Sequence, residues 1–257
     1  MTPAKAGRDL ISQIAITKSL KILMLLMLHI NKCGGKSFRV GLGSSYGDAL
    51  QLYYNNPIKK LRMGPVQRYL DLLIRKLRGV EIKKDCEVIY GHYCLDEFSH
   101  LSGPAIQRGA FFRDPVEWVG SFLFYNKIKH PDLLQEKHLQ DIKSCNLKHG
   151  FASFLGSFPV TDLDFVGITE DYNNSLKLFQ KIFGKEIPAF EKNVTNKSPG
   201  SYRDFFAEQG ILAEVEELMS DNMTIYRLAV ERYLSLCEAH GLRPGNTLPI
   251  SKPDVTI

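Results

Sequence analysis

An apolar run that ends in a glycine-bearing turn is the feature that most limits how this chain can fold. The run covers residues 22–30 and only His29 interrupts it; the turn reads Asn31-Lys32-Cys33-Gly34-Gly35. A short apolar run beside a turn signal is typical of a strand buried on both faces. Glycines directly after such a strand let backbone N–H groups approach an anion, and a following helix adds its positive end. The stretch therefore predicts a strand, an anion-binding loop and a helix.

Two lysines of this loop, Lys32 and Lys36, are candidates for the residue that binds the anion. Gly35, Lys36 and Ser37 fit the end of a Walker A motif, but that motif needs a glycine five residues before Gly35. The residue at that position is Ile30. The Walker spacing therefore fails, which leaves two interpretations: a loop centred on Lys32, whose side chain supplies a mobile point charge, or an unspecific glycine turn after a strand.

A histidine follows the next predicted strand. Residues 86–90 predict a short strand that ends in Gly91 and His92. A side chain just past a strand end lies on the loop side, where α/β folds keep their ligands. His92 is thus either a histidine bonded locally in a turn or a member of the same site as Lys32.

A third block combines a helix start with an arginine. Residues 109–112 predict a strand; Asp114 then suits an N-cap, Pro115 the first helical position and Glu117 the place of a capping-box partner. Capping does not account for Arg113 before the helix. It does not account either for Ser121, which lies two turns into the helix.

The motifs occur in an order that resembles the PAPS-dependent sulfotransferases, above all the carbohydrate and heparan 2-O-sulfotransferases. The similar segments are LHINKCGGKSF, the Gly91-His92 pair, RDPVEWVGS and FVGITEDYNNSLKLF, and together they cover roughly residues 22–240. The loop departs from the family pattern at three positions. Asn31 replaces a usual proline, and Cys33 and Lys36 replace usual threonines.

The resemblance implies an α/β fold with a P-loop NTPase-like parallel sheet, flanked by helices on both faces. It implies a single domain over residues 1–257, in which we expect an N-terminal arm or short helix at 1–20 and an irregular tail at 242–257. It also implies 3′-phosphoadenosine 5′-phosphosulfate (PAPS) as co-substrate, a hydroxyl acceptor on a carbohydrate, and no metal.

The resemblance further assigns roles to residues. His92 corresponds to the catalytic base, and Lys32 to the residue that neutralises charge on the bridging oxygen. Arg113 and Ser121 correspond to the contacts of the 3′-phosphate. The expected 5′ contacts are Lys32, Cys33, Gly34, Gly35, Lys36, Ser37 and Phe38. Lys197 and Ser198 lie where family members carry a polar segment that closes over the nucleotide.

Charge and composition narrow the expected partners. A net charge of +5 favours an anionic ligand over a nucleic-acid coat. Basic residues concentrate between 59 and 84. This stretch includes an amphipathic helix that is predicted to begin at Pro65 and to stop at Gly79. The basic residues form either a solvated helix face or a patch for an anionic acceptor. Five widely spaced cysteines without a C-x-x-C pair indicate reduced thiols. With no convincing membrane segment or signal peptide, we expect a cytoplasmic, bacterial enzyme rather than one of the Golgi lumen.

Two alternatives stay open from the sequence. One is a P-loop kinase, in which Lys36 and Ser37 bind nucleotide with Mg²⁺; Ile30 counts against it. The other is a non-catalytic relative that binds anionic glycans through the basic region. Lys32 and His92 count against that alternative. Neither the acceptor nor the oligomeric state follows from the sequence.

Overall fold

Parallel strands form the centre of the molecule. The structure, a computed structural model, describes residues 24–55, 57–60, 65–125, 139–140, 142–143, 147–190 and 201–245. Within these residues five strands form one sheet in the order β2-β3-β1-β4-β5, and every neighbouring pair is parallel. The strands are β1 (Met24–Leu28), β2 (Leu50–Leu52), β3 (Val88–Gly91), β4 (Ile106–Phe112) and β5 (Phe165–Ile168).

Helices connect the strands. They are α1 (Gly35–Tyr46), α2 (Pro57–Lys60), α3 (Pro65–Arg78), α4 (Pro115–Tyr125), α5 (Gly150–Leu155), α6 (Tyr172–Phe183), α7 (Tyr202–Glu208), α8 (Leu212–Leu218) and α9 (Ser220–Ala239). Short 3-10 turns at Gly47–Ala49, Leu95–Phe98, Leu147–His149, Val160–Asp162 and Thr169–Asp171 complete the described path.

Both faces of the sheet are covered. On one face Phe38 of α1 packs edge-on against Phe111 of β4 and Phe179 of α6. On the other face Phe151 of α5 packs against Phe112 of β4 and Trp118 of α4, and α9 packs against α4, α5 and β5. The predicted α/β class, a parallel sheet with helices on both faces, is confirmed.

The register brings the carboxyl ends of the strands to one edge of the sheet. Leu28 at the end of β1 pairs with Gly91 of β3 and with Ala110 of β4. Phe112 at the end of β4 pairs with Ile168 of β5. The segments that follow these strands therefore start side by side. Three of them carry the residues singled out from the sequence.

One helix boundary differs from the sequence prediction. The sequence predicts a helix from residue 37 to about residue 54, because Asn55, Asn56 and Pro57 are helix breakers. In the structure α1 ends at Tyr46 and β2 follows. Gly47 breaks the helix with a positive φ of 51°. The three residues of β2 then pair with β3. Such a short strand has no periodicity that could distinguish it from a helix end.

The edge strand β2 is flanked by the side chain of Gln51. Its Nε2 donates to the carbonyl oxygen of Glu81 at 2.7 Å, and its Oε1 accepts from the backbone N–H of Lys83 at 2.9 Å. The side-chain amide thus ties the edge strand to the segment that precedes β3.

Several predicted segments lie outside the described residues. These are the N-terminal arm at 1–20, the part of the tail beyond residue 245, and Lys197 and Ser198. Among the helices that the structure does describe, none combines the length and apolar character needed to cross a bilayer.

Candidate anion-binding site

The loop between β1 and α1 has an unusual backbone. Lys32 has a φ of 68° and Gly34 a φ of 74°, both in the left-handed region. This conformation costs a lysine roughly 1 kcal/mol, so the surroundings must stabilise it. Gly34 is the N-cap of α1 and has no side chain with which to cap the first turn. The positive end of α1 therefore faces the loop.

A buried tryptophan fixes this loop from the other face of the sheet. The indole Nε1 of Trp118 donates to the carbonyl oxygen of Asn31 at 2.6 Å. The ring is fully buried and packs against Phe151. Trp118 belongs to the core and also anchors the loop.

Cationic side chains surround the loop. Burial, together with the nearby charges of Lys36 and Arg113, lowers the pKa of Lys32 to about 8. Arg113 directly follows β4, the strand beside β1. The two cations that the sequence separates by eighty residues thus lie within electrostatic range of each other.

Arg113 also has an anionic neighbour. Its Nη2 lies 3.4 Å from Oε2 of Glu117, one turn into α4. The other oxygen of Glu117, Oε1, accepts from Oγ of Ser201 at 3.0 Å and from the backbone N–H of Arg203 at 3.1 Å. Glu117 therefore orients Arg113 and ties α4 to the start of α7.

The helix cap at Asp114 is only partly as predicted. Its Oδ1 accepts from the N–H groups of Val116 and Glu117 at 2.9 and 3.1 Å, which confirms the N-cap. The backbone N–H of Asp114, however, donates to Oε1 of Glu170 at 2.9 Å. Glu117 is thus not the capping-box partner, because a carboxylate from the end of β5 takes that place.

Sequence reasoning missed the role of Glu170. Its second oxygen, Oε2, accepts from the hydroxyl of Tyr226 on α9 at 3.2 Å, and burial raises its pKa. Thr169 donates to the carbonyl oxygen of Phe112, and Ser175 bonds to Ile168. The FVGITE segment therefore joins β4, β5 and α9. A carboxylate inside an otherwise apolar strand end was the signal that could have indicated this.

His92 lies at the end of β3, next to the loop. Its Nδ1 is 2.5 Å from the carbonyl oxygen of His29, which can only accept a hydrogen bond. The proton of a neutral His92 must then be on Nδ1, which leaves Nε2 as the basic nitrogen. The ring stacks on that of His29 at 4.1 Å and lies edge-on to Tyr54 at 5.1 Å.

A buried carboxylate supports the backbone around His92. The N–H of Asn55 donates to the carbonyl oxygen of His92 at 2.5 Å, and the side-chain amide of Asn55 donates to Oε2 of Glu97. Glu97 is 2% exposed and also accepts from the hydroxyl of Tyr53 and the N–H of Cys94. The sequence offered no indication of this arrangement, because its members come from two separate segments, 53–55 and 92–97.

His29 was expected to be buried inside the β1 strand. The strand ends one residue earlier, and the N–H of His29 donates to the carbonyl oxygen of Gly91 at 2.7 Å. Burial, with the adjacent His92, Arg39 and Lys36, holds the pKa of His29 well below its ordinary value. His29 is therefore neutral at pH 7.

Buried polar atoms cluster at the same loop. Three side-chain atoms are fully buried and form no hydrogen bond to any residue that the structure describes: Nδ1 of His29, Oδ1 of Asn31 and the hydroxyl of Tyr172. The ring of Tyr172 lies beside Gly34, where an added Cβ would meet it at 3.3 Å. Buried polar groups are nearly always hydrogen-bonded. A polar ligand or bound water at the loop would supply the missing partners.

The remaining predicted contacts differ in their access to a ligand. Cys33 and Phe38 are buried, and their backbone N–H groups donate to Ile30 and Gly34. Lys36 is exposed, and Ser37 is half-buried in the first turn of α1. Ser121 lies two turns into α4 and is 8% exposed, so protein would enclose a phosphate bound there. In the described part of the chain, no three His, Cys, Asp or Glu side chains are grouped as metal ligands.

Comparison with known proteins adds little to these observations. No family model matches the chain, and no curated protein matches it. Among solved structures, the chain is similar to the crystal structure of retinol dehydratase in complex with androsterone and the inactive cofactor PAP. The identity is 11%, the TM-score is 0.23, and the match covers 88% of this chain and 68% of that chain. A likeness at this TM-score carries no argument about activity, which must rest on the residues themselves.

Proposed function

We propose that the protein is a PAPS-dependent sulfotransferase that transfers a sulfuryl group to a hydroxyl of a carbohydrate. The observation that supports this best is the proximity of Lys32 and Arg113 at the ends of adjacent central strands, beside the N-terminus of α1. Two cations and a helix N-terminus at one place favour a ligand with several negative charges.

The site residues fit the two ends of PAPS. In the proposal, the 31–37 loop receives the 5′-phosphosulfate through Lys32, Lys36, Ser37 and the backbone at Gly34 and Gly35. The unpartnered polar atoms beside this loop are in keeping with a polar ligand there. Cys33 and Phe38, being buried, shape the loop rather than contact the ligand through their side chains.

The 3′-phosphate is assigned to Arg113 and Ser121. A guanidinium fork can bind a phosphate through two N–H groups, and Glu117 occupies one nitrogen of this fork. Ser121 would contribute its hydroxyl from the same helix. Binding at this position distinguishes a 3′-phosphorylated nucleotide from AMP and ATP. Lys197 and Ser198 are proposed to close over the bound nucleotide.

When bound, PAPS supplies the sulfuryl group, and adenosine 3′,5′-bisphosphate is the leaving product. Lys32 neutralises the charge that grows on the oxygen between sulfate and phosphate. A pKa of about 8 leaves Lys32 mostly protonated at pH 7. His92 accepts the acceptor hydroxyl's proton at Nε2, since its Nδ1 is held by the carbonyl of His29.

Two experiments test the proposal. Isothermal calorimetry should give far tighter binding of adenosine 3′,5′-bisphosphate than of AMP or ATP, without added Mg²⁺. Transfer assays with radiolabelled PAPS and a panel of neutral and anionic carbohydrates should then identify the acceptor. Equal affinity for AMP, or a strict Mg²⁺ requirement, would contradict the proposal in favour of a P-loop kinase.

A further inference from the structure

An apolar stripe lies exposed along α3. Five of the eight large apolar side chains that are exposed in the described residues belong to this one helix: Val66, Tyr69, Leu70, Leu73 and Ile74. Val66 is 71% and Tyr69 67% exposed. Their spacing of three and four residues places them on one side of the helix. The amphipathic pattern was predicted from the sequence, but its apolar side does not pack into the core.

The net positive charge of the protein is concentrated in the same region. Residues 57–84 contain nine lysines and arginines against two acidic residues, Asp71 and Glu81. That is a net charge of +7 in a chain whose total is +5, so the remainder of the chain is at −2. Lys83 and Lys84, which follow α3 in this region, are exposed.

A helix with a broad apolar stripe within a basic segment is typical of segments that lie flat in a membrane interface. The apolar side chains enter the headgroup boundary, and basic residues along the helix attract anionic lipids. Tyr69 adds an aromatic ring with a polar hydroxyl, which suits that boundary.

We propose that α3 binds the surface of membranes that contain anionic lipids. Such a surface satisfies both features at once. A nucleic acid would neutralise the charges but leave the five apolar side chains in water, and an apolar protein groove would leave the excess of +7 unpaired. The binding does not depend on the sulfotransferase activity proposed above.

Vesicle co-sedimentation of the full chain tests this inference. The protein should sediment with phosphatidylcholine vesicles that contain roughly 30% phosphatidylserine, and much less with pure phosphatidylcholine vesicles. Raising the salt from roughly 0.1 to 0.5 M should weaken binding, because the attraction is screened. Leu70→Ser/Ile74→Ser should weaken binding about tenfold or more.

Matched variants test whether vesicle binding depends on α3 and its basic region or on the protein surface in general. Leu228 is an exposed leucine on α9, and Leu228→Ser should bind vesicles as the wild type does. Lys83→Gln/Lys84→Gln, at exposed positions of the basic region, should also weaken binding about tenfold. The same charge loss at exposed positions of α6, Lys177→Gln/Lys181→Gln, should leave binding within about twofold.

Three results would overturn the inference. The first is equal binding to neutral and anionic vesicles. The second is wild-type binding by Leu70→Ser/Ile74→Ser. The third is a wild type that self-associates but does not bind vesicles, together with a Leu70→Ser/Ile74→Ser variant that no longer self-associates. The last result would make the stripe an interface between two copies of the chain.

Discussion

The backbone of Gly35 lies directly against the imidazole ring of His29, so closely that a Cβ at position 35 would overlap ring atoms Nε2 and Cδ2. The carbonyl oxygen of Gly35 also accepts a hydrogen bond from the hydroxyl of Tyr90 at 2.7 Å. Since His29 in turn stacks on His92, the start of α1 and both histidines form one packed unit. A side chain at position 35 would therefore displace the ring of His29.

The substitution Gly35→Ala should therefore destabilise the protein and weaken nucleotide binding. Because His29 must move to admit the methyl group, we expect a loss of about 1–3 kcal/mol in the free energy of unfolding. Gly43 provides the matched control, since it is on the same helix with open space around its Cα. Gly43→Ala should stabilise by about 0.4–1 kcal/mol. The free energies of unfolding of both variants can be measured in urea, and equal values would contradict the prediction.

The neutral state of His29 predicts a pH dependence of stability. Its pKa in the folded protein is below the ordinary value of about 6.5, so the unfolded chain binds a proton first as pH falls. The stability that His29 contributes is full above pH 6.5 and is lost as the pH falls from there toward the folded pKa. Unfolding midpoints between pH 7.5 and 5 should fall less in His29→Gln than in wild type. His100→Gln, at an exposed position, should keep the wild-type slope.

Binding of an anionic nucleotide should depend on pH through Lys32. Its pKa of about 8 in the free protein must rise when an anion binds beside it, so binding above pH 8 requires the uptake of a proton. Affinity for adenosine 3′,5′-bisphosphate should thus fall as the pH rises from 7 to 9.5. Calorimetry in buffers of different ionisation enthalpy measures this proton uptake directly. Lys32→Arg, which stays charged, should remove the uptake; uptake that persists would assign it to another group.

Replacing Arg113 should affect binding without unfolding the chain. Arg113→Ala should weaken the binding of adenosine 3′,5′-bisphosphate by about 1.5–3 kcal/mol, the range for hydrogen bonds to charged groups. The helix cap remains, because it depends on Asp114 and Glu170. Arg227→Ala on the exposed side of α9 is the control. If Arg113→Ala melts at room temperature by circular dichroism, Arg113 has a structural role instead.

His92 should matter for turnover but not for nucleotide affinity. Loss of a general base lowers turnover by about 10²–10⁴ in His92→Ala, while the dissociation constant of adenosine 3′,5′-bisphosphate stays near that of wild type. His100→Ala should retain full activity. A fully active His92→Ala variant would exclude His92 as the base and direct attention to other side chains around the loop.

Local signals in the sequence were enough to predict most of the strands of the sheet. The apolar runs before Lys32, His92 and Arg113 became β1, β3 and β4, with ends that differ by a few residues. The predicted helix at residues 65–78 begins at Pro65 and stops before Gly79 as expected. These segments were predictable because their patterns and breakers lie within a few neighbouring positions.

Contacts between distant segments could not be predicted from the sequence. Nothing near Asp114 indicates that Glu170, more than fifty residues later, completes its cap. The three-residue strand β2 exists because β3 offers it a hydrogen-bonding partner, not because of its own pattern. For the same reason the proximity of Lys32 and Arg113 followed only from the order of the strands.

The short edge strand β2 has a consequence for self-association. Open edges of sheets recruit strands from other molecules and so promote aggregation. β2 has only three residues, and the amide of Gln51 ties it to the backbone of Glu81 and Lys83 in the same chain. Because so short an edge strand exposes few unpaired backbone groups, a strand from another molecule would gain few hydrogen bonds by adding there.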